Sequence, residues 1–529
     1  MRRAPVRPRL PGAFLLALLL FLLGGLPTRT PSWHPGAGTA AADEEDEDDE
    51  EYEEEDEDEA PAPDLGDSDV PFAEQVNKAI ELGTRWMLAR GQIFDIPGAR
   101  DDEQGAHYGL IKGKTFYGGG DGRAYQHPAG PTALALYTML KCGVEPSHGV
   151  IERGFNWLRV RHRITTEWDA AEYEGFTWTH TEAGSSYELS AMILALTAKY
   201  DQKKHTGTSR KKLRIRDKDD AEWLVEMVSA LVERRGMPDD AAAAPDKLGW
   251  RYNVPRITFG SGGGRARGGG GSSSTRLVNP PPHANQDLSG TQLAALALYN
   301  AQRFGVDVDP QVWLDIAEFT LAHQEEEGPE HERHDPAYAR GGYAAPRDHA
   351  RGFAYLKGSP DRSEGKATGS MTACGMANLL MCQDVLANHR KTKRTYGTSP
   401  LAKQIEVGIW DALAWLDLHW SSFDNVDSHV GYHTYYLYAL ERAMDMIGKN
   451  LVGKRLWYQE GAVQLLKRQR AASVEVPDKK MRTETQDAVF WNTESTHEPY
   501  DVLDSCFALL FLKRATQGVM PPPVAITGN

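Results

Sequence analysis

Six stretches of this chain begin with threonine or serine and continue as small and large apolar residues with helical character. They are "TALALYTMLKCGV" from Thr132, "SAMILALTAKY" from Ser190, "TQLAALALYNAQRFGV" from Thr291, "TACGMANLLMC" from Thr372, "TYYLYALERAMDMIG" from Thr434 and "SCFALLFLKRAT" from Ser505. Between and before them lie six more polar segments, starting near Ala73, His148, Asp219, Pro310, Lys403 and Lys454. Each keeps apolar residues at spacings of three and four with charges opposite, the pattern of a helix with one side in water. The two classes alternate strictly. Helices apolar nearly all round belong inside and amphipathic ones outside, so the alternation predicts an all-α fold, an (α/α)6 toroid of six inner and six outer helices over residues 72–516.

The connections carry a second repeat. "GFTW" at Gly175, "GWRY" at Gly249 and "GFAY" at Gly352 place an aromatic pair after a glycine in loops leading to inner helices. Such a pair is expected to clamp neighbouring hairpins together. The insertion "GSGGGRARGGGGSSS" from Gly260 is flexible by composition. No strand is expected before it, so it is not read as a phosphate loop.

The ends of the chain are different in kind. Residues 13–26, "AFLLALLLFLLGGL", follow Arg2, Arg3, Arg7 and Arg9 and make a run too short for a comfortable membrane span. We read residues 1–42 as a secretory signal or membrane anchor with a short linker, which implies export. "DEEDEDDEEYEEEDEDE" at 43–59 repels itself, so 43–71 reads as an acidic disordered tether, and 517–529 as a disordered tail. Most of the formal net charge of −16 falls in the first 69 residues. The rest is nearly neutral, which points away from a nucleic-acid partner. Cys142, Cys374, Cys382 and Cys506 sit in apolar helical stretches with no zinc spacing, and are expected to be free buried thiols.

Because every inner helix runs the same way, their free N–H groups and positive dipole ends should converge on one mouth. Beside those heads stand Gln126 and His127, Tyr187 and Glu188, Asp287 and Gln292, Ser370, Tyr432 and His433, and Asp501 and Asp504. Helix capping accounts for the threonines and serines, and tolerably for Asp287 and Asp504. It does worse for His433, Glu188 and Tyr432, and a polar group near a core needs a partner or a ligand.

The repeated hairpins, the loop aromatics and "YHTYYLYAL" resemble the terpenoid cyclase and protein prenyltransferase toroid superfamily, including exported bacterial proteins with squalene-cyclase-type repeats. The resemblance implies a central cavity for an isoprenoid-like ligand and particular site residues. His433 matches a prenyltransferase zinc ligand, but Gly369 and Met371 stand where the other two donors belong. Neither can bind zinc, so no metal and no cofactor are expected. The cyclase Asp-x-Asp-Asp acid aligns with "DLSGT", where Asp287 keeps the first aspartate and Ser289 and Gly290 replace the others. "DKDD" at Asp217 is read as a decoy open to water, and "HERH" at His331 as solvated.

The expected function is an exported toroid binding an elongated apolar, isoprenoid-like molecule, with Asp287 and His433 the candidate catalytic residues. His127, Tyr187, Glu188, Gln292, Tyr432 and Asp504 would line the cavity, with aromatic rings such as Tyr435, Tyr436 and Phe507. A glycan-active lyase or hydrolase using paired carboxylates, and a non-catalytic envelope scaffold tethered at its N-terminus, are the alternatives.

Overall fold

The computed structural model describes residues 70–91, 93–95, 114–116, 129–161, 186–201, 213–233, 235, 249–250, 256–258, 276–278, 286–334, 345–357, 364–428, 431–492 and 499–515. The chain divides into two units, Met1–Asp64 and Leu65–Asn529, and everything described lies in the second. The signal, the acidic run, "GFTW", the glycine-rich insertion and His127 lie outside the described residues. No described helix is long and apolar enough to cross a membrane.

The described helices are α1 Phe72–Arg90, α2 Ala129–Lys141, α3 Gly149–Arg161, α4 Ser186–Tyr200, α5 Lys218–Glu233, α6 Leu288–Arg303, α7 Pro310–Ala322, α8 Gly369–Asn388, α9 Pro400–Leu418, α10 His433–Ile447, α11 Trp457–Arg468 and α12 Pro499–Lys513. The even-numbered helices pack in sequence, α2 on α4, α4 on α6, α6 on α8, α8 on α10 and α10 on α12. Helix α12 then packs on α2 and closes an inner ring of six. The odd-numbered helices lie outside it, each packed against the inner helix that follows or precedes it. Burial tracks this division: α8 is buried along most of its length, whereas α5 buries only one face, including Trp223, Leu224, Met227 and Leu231. The expected six-plus-six ring is therefore the observed architecture.

The helix starts differ from the expectation. The threonines and serines thought to cap inner helices lie inside them, Thr291 and Thr372 three residues past the first helical residue and Ser505 six past it. The caps are Asp287, whose side chain accepts from Gly290 N, and Thr368, which accepts from Met371 N. The buried hydroxyls serve the loops instead. Thr291 Oγ1 accepts from Trp250 N at 2.9 Å, Thr372 Oγ1 from Phe353 N at 3.0 Å and Ser505 Oγ from Trp491 N at 3.0 Å. Trp250 and Trp491 each donate an indole N–H back to an outer helix, at Leu231 O and Leu465 O. One loop aromatic thus fastens an outer helix to the next inner one. Close approach forces glycine before it: a Cβ on Gly249 would lie 2.5 Å from Thr291 Oγ1, and one on Gly352 2.8 Å from Thr372 Oγ1.

Among the described residues, four antiparallel two-stranded hairpins, which the reading as all-α did not include, join the helices. β1 (Ile93–Asp95) pairs with β2 (Lys114–Phe116), β3 (Arg256–Thr258) with β4 (Arg276–Val278), and β5 (Glu330–Glu332) with β6 (Arg347–His349). Strands β7 (Arg470–Pro477) and β8 (Thr483–Phe490) form the longest, and both lie on α1, where Trp86 stacks on Phe490 with ring centroids 5.3 Å apart. The four cysteines are free; Cys374, Cys382 and Cys506 are buried and Cys142 is half-buried.

Candidate functional site

Asp287 heads α6 and is fully buried. Its Oδ1 accepts from Gly290 N at 2.6 Å and from the Ser289 hydroxyl at 2.9 Å. Ser289 in turn meets the Tyr187 hydroxyl of α4 at 2.5 Å. Burial pushes the Asp287 carboxyl up to about 7, against the pull of hydrogen bonds from Gly290, Ser289 and Tyr355. Gln292, one turn further along α6, is completely buried, and neither amide atom of its side chain has a hydrogen-bond partner. Glu188 is equally buried on α4, beneath Gly130 of α2.

The polar chain continues across the ring. The Cys374 thiol of α8 lies 3.3 Å from the Tyr435 hydroxyl of α10, and both feel the Asp287 charge. Deeper in, Arg442 is completely buried, its guanidinium 4.0 Å from the centroid of the Tyr438 ring and its NH2 nitrogen 4.0 Å from Cys374 Sγ. Its Nε and NH1 have no hydrogen-bond partner, and it forms no ion pair with a described carboxylate. Phe507 of α12 stacks on Tyr438 and meets Tyr435 edge-on. Tyr137 of α2 adds a phenol close enough to Tyr438 for each to shift the other's ionisation. Burial raises the pKa of all three phenols, so Tyr137, Tyr435 and Tyr438 are neutral donors at pH 7. Among the described residues, the ring interior thus gathers aromatic faces, the hydroxyls of Tyr137, Tyr435 and Tyr438, the buried Arg442 guanidinium and, beside Tyr137 and Tyr438, the buried Glu441.

His433 belongs elsewhere. Its Nε2 donates to the Ser422 carbonyl at 2.8 Å, and its Nδ1 accepts from Arg468 of α11 at 3.0 Å. Burial lowers its pKa to about 4, so the ring is neutral and neither nitrogen is open to a metal. Helix phase explains the separation from Asp287: at 3.6 residues per turn, His433 points about 200° away from Tyr435. Tyr435, Tyr438 and Arg442, spaced by three and four, are the interior stripe. That spacing was visible in "YYLYALER" and would have identified Arg442, which the sequence reading passed over.

The remaining candidates take structural places. Thr434 does not serve its own first turn; its hydroxyl donates to Asp504 Oδ1 at 2.6 Å, tying α10 to α12. Tyr432 precedes α10 with φ +58° and makes no capping bond with its side chain. Ser370 is held by Asn425, which accepts from its N at 2.8 Å and donates to its Oγ at 3.1 Å. Asp501 pairs with Asn492. "DKDD" at Asp217 is not open to water throughout: Asp220 is buried and bound by Arg159, Lys199 and Tyr200, three donors that make it an ion-paired carboxylate. "HERH" is solvated only in part: Glu332 and His334 are exposed, but His331 and His334 both lie on Asp417. An open groove of about 1020 Å³ runs outside the ring between α7 and α9, lined by charges of both signs such as Glu318, Glu326, Lys357 and Lys403.

No family model matches the chain, and no curated protein matches it. Among solved structures, a type II terpene cyclase from Scytonema, in complex with its substrate geranylgeranyl dihydroxybenzoate, superposes with a TM-score of 0.37 at 11% identity, over 84% of this chain and 98% of that one. A likeness that loose carries neither fold nor function, and the ring rests on its own helix contacts.

Proposed function

We propose that the ring interior is a binding chamber for an elongated, largely apolar small molecule, isoprenoid-like in character, with an anionic end directed at Arg442. The observation that carries this is Arg442 itself. A buried guanidinium without a carboxylate costs several kcal/mol of desolvation, and one aromatic face returns only about 2 kcal/mol. Around it converge the hydroxyls of Tyr137, Tyr435 and Tyr438, three neutral donors able to bind an anion beside the guanidinium. Apolar inner helices would hold the rest of the ligand. Asp287, half-protonated near neutral pH, could hold or release a proton beside it, so binding and turnover share one interior. With its N-terminal run read as an export signal, the chain would meet this ligand outside the cytoplasm.

Native mass spectrometry of protein isolated from its source tests the reading directly, with an apolar acid or phosphate ester expected to co-purify. Farnesyl diphosphate should raise the melting temperature more than farnesol does, and Arg442→Leu should abolish that difference. A glycan in the spectrum, or no bound molecule together with no stabilisation by either probe, overturns the proposal; the second result favours a non-catalytic scaffold.

A further inference from the structure

The β5–β6 hairpin carries a cluster that the ring interior does not use. His331 Nε2 lies 2.7 Å from Asp417 Oδ2, and His334 Nδ1 lies 3.1 Å from the same oxygen. The three donor atoms fall within 4.8 Å of one another. We propose that His331, His334 and Asp417 form a binding site for a divalent transition-metal cation of the zinc class.

The donor set has the right chemistry. Two imidazoles and a carboxylate suit zinc and its neighbours, whereas calcium and magnesium want oxygen alone. Zinc bonds of about 2.0–2.2 Å in tetrahedral geometry set neighbouring donors about 3.3–3.6 Å apart, so the His334–Asp417 pair must open by about 0.2–0.5 Å and the His331–Asp417 pair by about 0.6–0.9 Å, within reach of side-chain rotation. Without metal, each imidazole can donate an N–H to Asp417 Oδ2. A cation takes the place of those two N–H groups, each ring then carrying its proton on the other nitrogen and offering a lone pair from the one that faces Asp417.

The surroundings hold the donors in place. Arg333, between the two histidines, donates from Nε and NH2 to Asp348 of β6 at 2.8 and 2.6 Å. Its guanidinium also lies 3.7 Å from the centroid of the Trp410 ring on α9. Two turns of α9 away from Asp417, Asp411 accepts from His349 N at 2.9 Å and Arg351 Nε at 2.8 Å, a second anchor for the hairpin. On the far side Gly453, at φ +57°, sits so close that a Cβ would come within 1.8 Å of Asp417 Oδ1. The carboxylate is therefore seated between two imidazoles and the α10–α11 loop. Asp417 is also the penultimate residue of α9, where the helix dipole favours a cation. Side-chain exposures of 19% for His331, 40% for His334 and 17% for Asp417 leave a path from solvent and a fourth coordination position for water. A bound ion would clip the hairpin to the end of α9.

The full chain, stripped with EDTA and titrated with Zn2+, should hold one ion through gel filtration and melt at a higher temperature with it. Co2+ in its place should show the visible absorption of a four-coordinate nitrogen–oxygen site. His334→Ala alters the most exposed donor and should keep the metal-free melting temperature and far-ultraviolet circular dichroism of the wild type. It should nevertheless weaken Zn2+ binding by more than the roughly 10–100-fold that outer-shell changes cost, and lose the Co2+ spectrum. Asp417→Asn, similar in shape, should weaken binding as well. Failure of the wild type to retain one ion, or an unchanged Co2+ spectrum in His331→Ala/His334→Ala, overturns the site. Neither result bears on Arg442 or on ligand in the ring.

Discussion

Asp287 and His433 stand 146 positions apart at the heads of two inner helices, and burial moves them in opposite directions. The Asp287 carboxyl rises from 3.8 to about 7, so the stability it contributes is fully present below about pH 4 and is lost as pH rises through 7. The His433 imidazole falls from 6.5 to about 4, so its contribution is present above pH 6.5 and is lost as pH falls through 4. Between these limits the two slopes oppose each other. Asp287→Asn should therefore make stability climb more steeply from pH 4 to 7 than in the wild type, and His433→Gln should do the reverse, measured as urea midpoints across that range. His433→Ala, which breaks the bonds to Ser422 and Arg468, should cost about 1–3 kcal/mol without altering ligand retention. Weaker ligand retention in that variant would return His433 to the binding machinery.

The hydroxyls of the inner helices work between elements. Thr372→Val keeps the shape and apolar bulk of the side chain but strands the buried Phe353 N–H, and should cost about 1–3 kcal/mol in chemical denaturation. Gly352→Ala should cost about 1–3 kcal/mol through overpacking, because its Cβ would meet Ala367 Cβ at 2.6 Å as well as Thr372 and Trp415. The repeated glycine and aromatic were plain in "GWRY" and "GFAY", as was their clamping role. Their partner was not, since a threonine inside an apolar run looks the same whether it caps its own helix or receives a distant N–H.

Contact of α12 with α2, and of the β7–β8 hairpin with α1, joins the two ends of the helical unit. Trp86 sits at this seam, 5% exposed and stacked on Phe490. Trp86→Ala should cost about 3–5 kcal/mol and leave one unfolding transition, with fluorescence and circular dichroism midpoints coincident. Residues 72–300 expressed alone should not fold stably, because the inner helices they contain lose α8 and α12 as neighbours. A monomeric fragment as stable as the whole chain would contradict the cooperative ring.

Alternation of apolar and amphipathic segments was enough to number the inner and outer helices and to put each near its place, because sidedness is written in the spacing of apolar residues along one helix. Asp287 was legible too, since an aspartate before an apolar helix is either a cap or a site, and here it is a buried cap with a raised pKa. Pairings between distant residues were not legible. Which face of α10 turns inward separates His433 from Arg442, and that follows from packing against α8 and α12 rather than from the residues of α10 alone. The meeting of His331, His334 and Asp417 requires a hairpin to fold back onto α9 across more than eighty residues of chain. Local periodicity reports the environment of each helix; convergence of side chains from separate elements exists only once those elements have packed.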